Sequence, residues 1–219
     1  HVPAIGGAIA KSLQSDPYWK PFFDGFTPVR QWLAEVKPDI AVVIYNDHGL
    51  NFFLDKMPTF SVGAAAEYRN ADEGWGIPQV PPFKGDLDLS WHLIESLVQQ
   101  DFDLTTCQEM LVDHAFSLPM ELFFRDRAHS LPAVPVVVNT VQHPLPSAAR
   151  CEALGAAVGD ALRSYPGAER VVVVGSGGLS HDPPVPTLAN PDAAVRERIT
   201  AKNEPTQADR DAKTQRVMA

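Results

Sequence analysis

Asp39-Ile40-Ala41-Val42-Val43-Ile44-Tyr45-Asn46-Asp47-His48 decides how the chain folds. The apolar, mostly β-branched run from Ile40 to Ile44 reads as a strand buried on both faces. It turns polar at once at Asn46, Asp47 and His48. In α/β proteins, polar groups at the carboxyl end of a central strand stand where ligands bind. The pattern recurs at Arg170-Val171-Val172-Val173-Val174-Gly175-Ser176-Gly177-Gly178-Leu179-Ser180-His181. Two apolar strands that each run out into a histidine predict two walls of one site. A metal-dependent site is the reading against which the rest of the chain is tested.

Outward from that strand, helices and strands alternate. Pro28 opens a helix whose apolar positions are Val29, Trp32, Leu33 and Val36. Upstream, Pro3, Gly6 and Gly7 argue against a regular element, and Phe22-Phe23-Asp24-Gly25-Phe26 reads as an aromatic turn. Downstream, a short strand is expected over 57–63, and a Gly-, Pro- and acid-rich loop from Asn70 to Gly85. A loop of that length is usually functional or mobile. A helix follows from Asp86 to Gln99, then a strand from Asp103 to Thr106. A short helix is expected from Pro119 to Phe124 and a strand over 134–139. The longest helix runs from Ser147 to Tyr165 with a serine N-cap, and the strand Val171–Val174 comes after it. Asn190 is the expected cap of a helix reaching Ile199, and the polar tail from Thr206 is helix-prone. The fold class is therefore α/β, with a central mainly parallel or mixed sheet flanked by helices and the active site at strand ends.

Composition narrows the function. A chain of 219 residues, 45% apolar and 21% charged, has enough material for one sizeable soluble core. The formal net charge of -9 argues against nucleic acid, whose phosphates require a basic face. No apolar run approaches the roughly 20 residues of a membrane span, and no signal-peptide pattern is present. The two cysteines, Cys107 and Cys151, read as free thiols of a reducing cytoplasm. Opening at His1 without Met and closing inside a helix-like stretch, the chain is expected to be one domain over 1–219, trimmed at both ends.

Of seven histidines, His1, His48, His114 and His181 lie in loops that border apolar strands. His92, His129 and His143 read as surface residues. Imidazole suits Fe, Zn, Cu and Ni, and two histidines with one carboxylate leave a face open for substrate and O2. His1 and His48 form the candidate ligand pair. Asp47 and Asp113, each preceding a histidine, are candidates to ligate a metal, to orient imidazoles or to hold turns, and the last two are favoured. Gly175-Ser176-Gly177-Gly178 lacks the lysine of a phosphate loop and the spacing of a nucleophile elbow.

His1-Val2-Pro3-Ala4-Ile5-Gly6, Tyr45-Asn46-Asp47-His48, Pro58-Thr59-Phe60, Ala71-Asp72-Glu73-Gly74-Trp75-Gly76, Val112-Asp113-His114 and Gly177-Gly178-Leu179-Ser180-His181 together resemble the class III extradiol ring-cleavage dioxygenases. This is the family of the protocatechuate 4,5-dioxygenase β subunit. The first half is similar to the protocatechuate and gallate branch. Gly175 to Pro186 and Gln215-Arg216-Val217 are similar to the 2,3-dihydroxyphenylpropionate 1,2-dioxygenase branch. The resemblance implies Fe(II) held by His1 and His48, with His181 as acid/base and His114 as a second essential histidine. It implies a third ligand, a glutamate on a helix beyond this chain's end, and no residue here matches that motif. It implies a catechol-type diol and O2 as substrates, and a homo-oligomer or a pairing with a small α subunit. Trp75, Phe52 and Phe60 are candidates for the apolar wall against the ring. Arg150 and Arg30 are the nearest cations for a substrate carboxylate, against a reading of each as a surface residue. Two other functions use the same residues: a zinc hydrolase, and a dioxygenase-like subunit without turnover.

Overall fold

In a computed structural model, the described residues are 3–74, 77–167, 170–177, 187–201 and 206–218. In chain order the regular elements are α1 (Pro3–Ala10), α2 (Lys20–Asp24), α3 (Thr27–Val36), β1 (Ile40–Tyr45), β2 (Phe60–Gly63), β3 (Glu67–Asn70), β4 (Phe83–Lys84) and α4 (Leu87–Gln99). They continue with β5 (Thr105–Cys107), β6 (Leu111–Val112), α5 (His114–Phe124), β7 (Ala133–Val138), α6 (Ala148–Ser164), β8 (Val171–Gly175), α7 (Ala193–Thr200) and α8 (Gln207–Met218).

The main sheet has the order β5-β2-β7-β1-β8. β1 pairs in parallel with β7 and β8, β2 pairs in parallel with β5, and only β2 against β7 is antiparallel. The expected α/β class and central β1 are therefore observed. Side-chain alternation along β1 divides the core. Ala41, Val43 and Tyr45 face Phe116 and Met120 of α5 and Leu33 of α3. Ile40 and Val42 belong to the cluster that holds Leu89, Leu93 and Leu97 of α4 and Leu154, Ala157 and Val158 of α6. A second, small sheet, β4-β3-β6, carries the chain toward the site.

Several expectations are corrected. Pro3 to Ala10 forms a helix: proline is tolerated where a helix starts. Gly6 lets Ile77 approach to where a Cβ would lie 2.5 Å from its Cγ1. The aromatic turn at Phe22 is the end of α2. The helix expected from Pro119 begins instead at His114, capped by the Asp113 carboxylate, with Pro119 inside it. The cap of α7 is Asp192, not Asn190, although Asn190 Oδ1 accepts the Asp192 N–H at 3.0 Å. β8 is an edge strand, which leaves Val173 49% exposed. Ser147 caps α6 as read from the sequence, and Asp86, expected as the first residue of α4, is its cap. Among the described residues no helix is long and apolar enough to cross a membrane.

Candidate metal centre

Two short strands running side by side deliver two acids and one imidazole. β3 and β6 are parallel, with Arg69 opposite Leu111 and Asn70 opposite Val112. The Ala71 N–H extends the ladder to the Val112 carbonyl at 2.9 Å. The chain thus leaves both strands at one edge, with Glu73 just beyond β3 and Asp113-His114 just beyond β6.

Asn51 fastens the loop after β1 to the same edge by imitating a strand residue. Its Nδ2 donates to the Leu111 carbonyl at 2.9 Å, and its Oδ1 accepts the Leu111 N–H at 2.9 Å. Asp47 shapes this loop, accepting the Gly49 and Leu50 N–H groups at 3.0 Å and Asn51 Nδ2 at 2.8 Å. Asp47 therefore holds a turn. Burial pushes its carboxyl above the usual carboxylate range and Asp113 pushes it further, while hydrogen bonds from Asn51, Leu50 and Phe52 pull it back.

The loop sets His48 over Asp113. Asp113 Oδ2 accepts His48 Nδ1–H at 2.6 Å and the His48 backbone N–H at 3.1 Å. Its Oδ1 accepts the Ala115 N–H at 2.8 Å, which caps α5. His114 is held in a matching way by Glu73, whose Oε2 lies 2.7 Å from His114 Nδ1. The two rings lie 4.4 Å apart between centroids, tilted by 33°.

An ionised carboxylate only accepts, so in both pairs the hydrogen sits on Nδ1, and in the neutral ring Nε2 keeps the lone pair. Asn46 agrees: its Nδ2 lies 3.0 Å from His48 Nε2, where an amide N–H meets that lone pair. Among the described residues, ligand atoms of His48, Asp113 and His114 gather within 4.8 Å of one another. Imidazoles whose far nitrogen is fixed by a carboxylate are the donors a metal such as Fe(II) accepts. The residues present therefore fit such an ion. Asp113 already uses both oxygens, so its part is to orient His48.

Tyr45 ends β1 beneath the site, its ring 5.7 Å from that of Phe116. Its buried hydroxyl has no hydrogen-bond partner among the described residues. Burial, and then the charge of Asp113, push its pKa well above the usual phenol value.

Of the residues singled out from the sequence, His48 and His114 are brought together. Phe52 is half-buried against the core cluster of Tyr45 and Phe116. Phe60 is instead 3% exposed, in the cluster beneath α4 and α6, with its ring 6.0 Å from that of Phe102. His1, Trp75 and His181 lie outside the described residues. Arg150 donates to the Asp101 carbonyl and covers the Phe102 ring, and Arg30 donates to the Phe23 and Leu122 carbonyls. Glu73 had no role assigned from sequence. Its signal was an acid beside a glycine in a long loop, inside a motif that carried the resemblance.

A family model described as the catalytic LigB subunit of aromatic ring-opening dioxygenase matches residues 1–213. The chain is 40% identical over 191 residues to a Comamonas testosteroni protein named 2,3-dihydroxyphenylpropionate/2,3-dihydroxicinnamic acid 1,2-dioxygenase, covering 87% of this chain and 58% of that protein. A Rhodococcus sp. protein of the same name is 36% identical over 193 residues, 88% of this chain and 59% of that protein. One from Klebsiella pneumoniae is 33% identical over 224 residues, 100% of this chain and 67% of that protein. The chain thus spans somewhat under three fifths of the length of the first two relatives.

Proposed function

The chain belongs to the family of catalytic LigB subunits of aromatic ring-opening dioxygenases, and from that premise we propose that it cleaves a catechol-type ring with O2, in the extradiol manner, at an Fe(II) site. The observation that carries this reading is the His48–His114 pair, with each Nδ1 tied to a buried carboxylate. With Nδ1 carrying the hydrogen, Nε2 is the donor nitrogen of each ring, and an ion at His48 would take the lone pair that Asn46 Nδ2 meets at 3.0 Å.

His48 Nε2 would hold the iron together with His1, with Asp113 keeping the His48 ring in place. Fe(II), when bound, supplies Lewis acidity toward the diol and the redox chemistry that dioxygen requires. His114 lines the pocket, its Nε2 accepting a hydrogen bond from a diol hydroxyl while Nδ1–H stays on Glu73. His181 takes the diol proton and returns it later, since an imidazole titrates near working pH. Phe52 and Trp75 form the apolar wall on which the ring lies. The names of the relatives favour a 2,3-dihydroxyphenylpropionate-like diol, and protocatechuate and gallate are the comparison substrates.

The test loads the protein with Fe(II) or Zn(II) without air and then adds the three diols in air. O2 uptake and a yellow ring-opened product with iron alone are expected. Ester or amide hydrolysis with zinc and no O2 uptake would make the protein a hydrolase. Full iron occupancy without product would make it a subunit without turnover.

A further inference from the structure

Glu73 gives both carboxylate oxygens to a single residue. Its Oε1 accepts the His114 backbone N–H at 2.6 Å and its Oε2 lies 2.7 Å from His114 Nδ1. The side chains of His114 and Glu73 are only 3% and 4% exposed, so solvent does not substitute for either bond.

The segment bearing Glu73 is itself braced. Asp72 Oδ1 accepts the Gly74 N–H at 3.0 Å, and Asp72 Oδ2 accepts Gln207 Nε2 of α8 at 3.2 Å. Gly74, at φ 67°, lies directly against the α8 backbone. A Cβ there would stand 2.6 Å from the Arg210 carbonyl oxygen and 2.9 Å from its Cα. Only glycine combines that φ with that approach.

The geometry points to Glu73 as a positioning residue that fixes the His114 proton on Nδ1 and thereby keeps the Nε2 lone pair turned into the site. Its relevance to turnover rests on the function proposed above; the tautomer itself does not.

Glu73→Gln isolates the effect, because shape and volume barely change while one acceptor becomes a donor. The backbone N–H of His114 must donate, whereas the ring can exchange which nitrogen carries its hydrogen. The single amide oxygen therefore stays on the backbone and the NH2 faces Nδ1. Two buried donors facing each other are costly, so the ring hydrogen moves to Nε2 and the lone pair turns away from the site. The reversed amide would set two donors together at the backbone, where no tautomer relieves them.

The experiment records imidazole nitrogen–carbon-proton correlations on metal-free protein labelled with heavy nitrogen in histidine. Spectra are taken at rising pH until the ring signals stop changing, so that the neutral imidazole is the form compared. The expected result is protonated Nδ1 and bare Nε2 for His114 in the natural protein, the reverse in Glu73→Gln, and the original tautomer in Glu73→Asp. On iron-loaded protein, kcat should fall about 10–100-fold in Glu73→Gln, the range for losing such an orienting partner. The proposal is overturned by Nε2–H in the natural protein, by Nδ1–H retained in Glu73→Gln, or by near-normal kcat with the tautomer reversed. If Glu73→Gln does not fold, the natural protein's spectrum still decides the tautomer. The spectra involve no turnover, so they stand even if the protein proves not to be a dioxygenase.

Discussion

Asp113 performs two tasks that substitution separates. Asp113→Ala removes the α5 cap, which costs about 0.5–2 kcal/mol. It also leaves two His48 donors, the backbone N–H and Nδ1–H, without the acceptor that meets them at 3.1 and 2.6 Å. Each orphaned buried donor costs about 1–3 kcal/mol. The His48 side chain is 16% exposed, so water recovers part of that, and the low end of the ranges, about 3 kcal/mol in total, is expected. Asp113→Asn keeps an oxygen for the Ala115 N–H, so the cap survives. Its NH2 faces His48, whose ring changes tautomer while the backbone N–H stays orphaned, for a loss of about 1–2 kcal/mol. Urea unfolding followed by circular dichroism measures both, and a common slope confirms that one transition is compared. Metal affinity should fall about 10–100-fold in both variants, because the orienting bond to His48 is lost in each. Asp113→Asn with full stability and unchanged metal affinity would refute the assignment of Asp113 as the residue that orients His48.

Three further outcomes follow from the packing. Gly85→Ala drives a Cβ to 2.0 Å from the Ala65 carbonyl oxygen; overpacking of about 1–3 kcal/mol is expected, and an unchanged Tm would refute it. Tyr45→Phe removes a buried hydroxyl that has no partner among the described residues; stability should hold or rise by up to about 1 kcal/mol, and a clear loss in urea titration would contradict that. Burial and the charge of Asp47 raise the Cys107 thiol to about 11. At pH 8 only about one in a thousand of such thiols is thiolate. Iodoacetamide followed by mass spectrometry should therefore find Cys151 modified well before Cys107, and equal rates would refute the shift. The sign for stability follows: the contribution of the neutral Cys107 thiol is complete below the ordinary thiol pKa and is lost as pH rises through about 11.

Much of the main sheet is legible in the sequence because several of its strands are nearly pure β-branched runs. Ile40 to Ile44 of the central β1 have few other ways to bury their side chains, and Val171 to Val174 carry the same pattern although β8 lies at the sheet edge with Val173 exposed. α4 announces itself through the apolar stripe Leu89, Leu93, Ile94 and Leu97, and α6 through Ser147 at its cap. α1 hid because Pro3, Gly6 and Gly7 look like breakers, whereas one starts the helix and Gly6 admits Ile77. The small sheet β4-β3-β6 was missed for a different reason. Phe83–Lys84 and Leu111–Val112 are too short to show periodicity, and their strand character comes from partners distant in sequence. That sheet is also what joins Glu73 to His114, so the pairing was invisible although both residues stood inside recognised motifs. Asp47 and Asp113 show the same limit. Each precedes a histidine, and only the fold reveals that one holds a turn and the other an imidazole. Phe60 looked like a pocket wall because it lies near the site motifs in sequence, but its cluster lies beneath α4 and α6.

The central claim is that both atoms of dioxygen enter an opened aromatic ring at the His48–His114 site. Turnover of 2,3-dihydroxyphenylpropionate by iron-loaded protein under isotopically labelled O2, with the product weighed by mass spectrometry, tests it most directly. The account predicts both labelled atoms in one ring-opened product, and no such product from His48→Ala. A product without label, its new oxygen drawn from water alone, or a product with an intact ring, would contradict it.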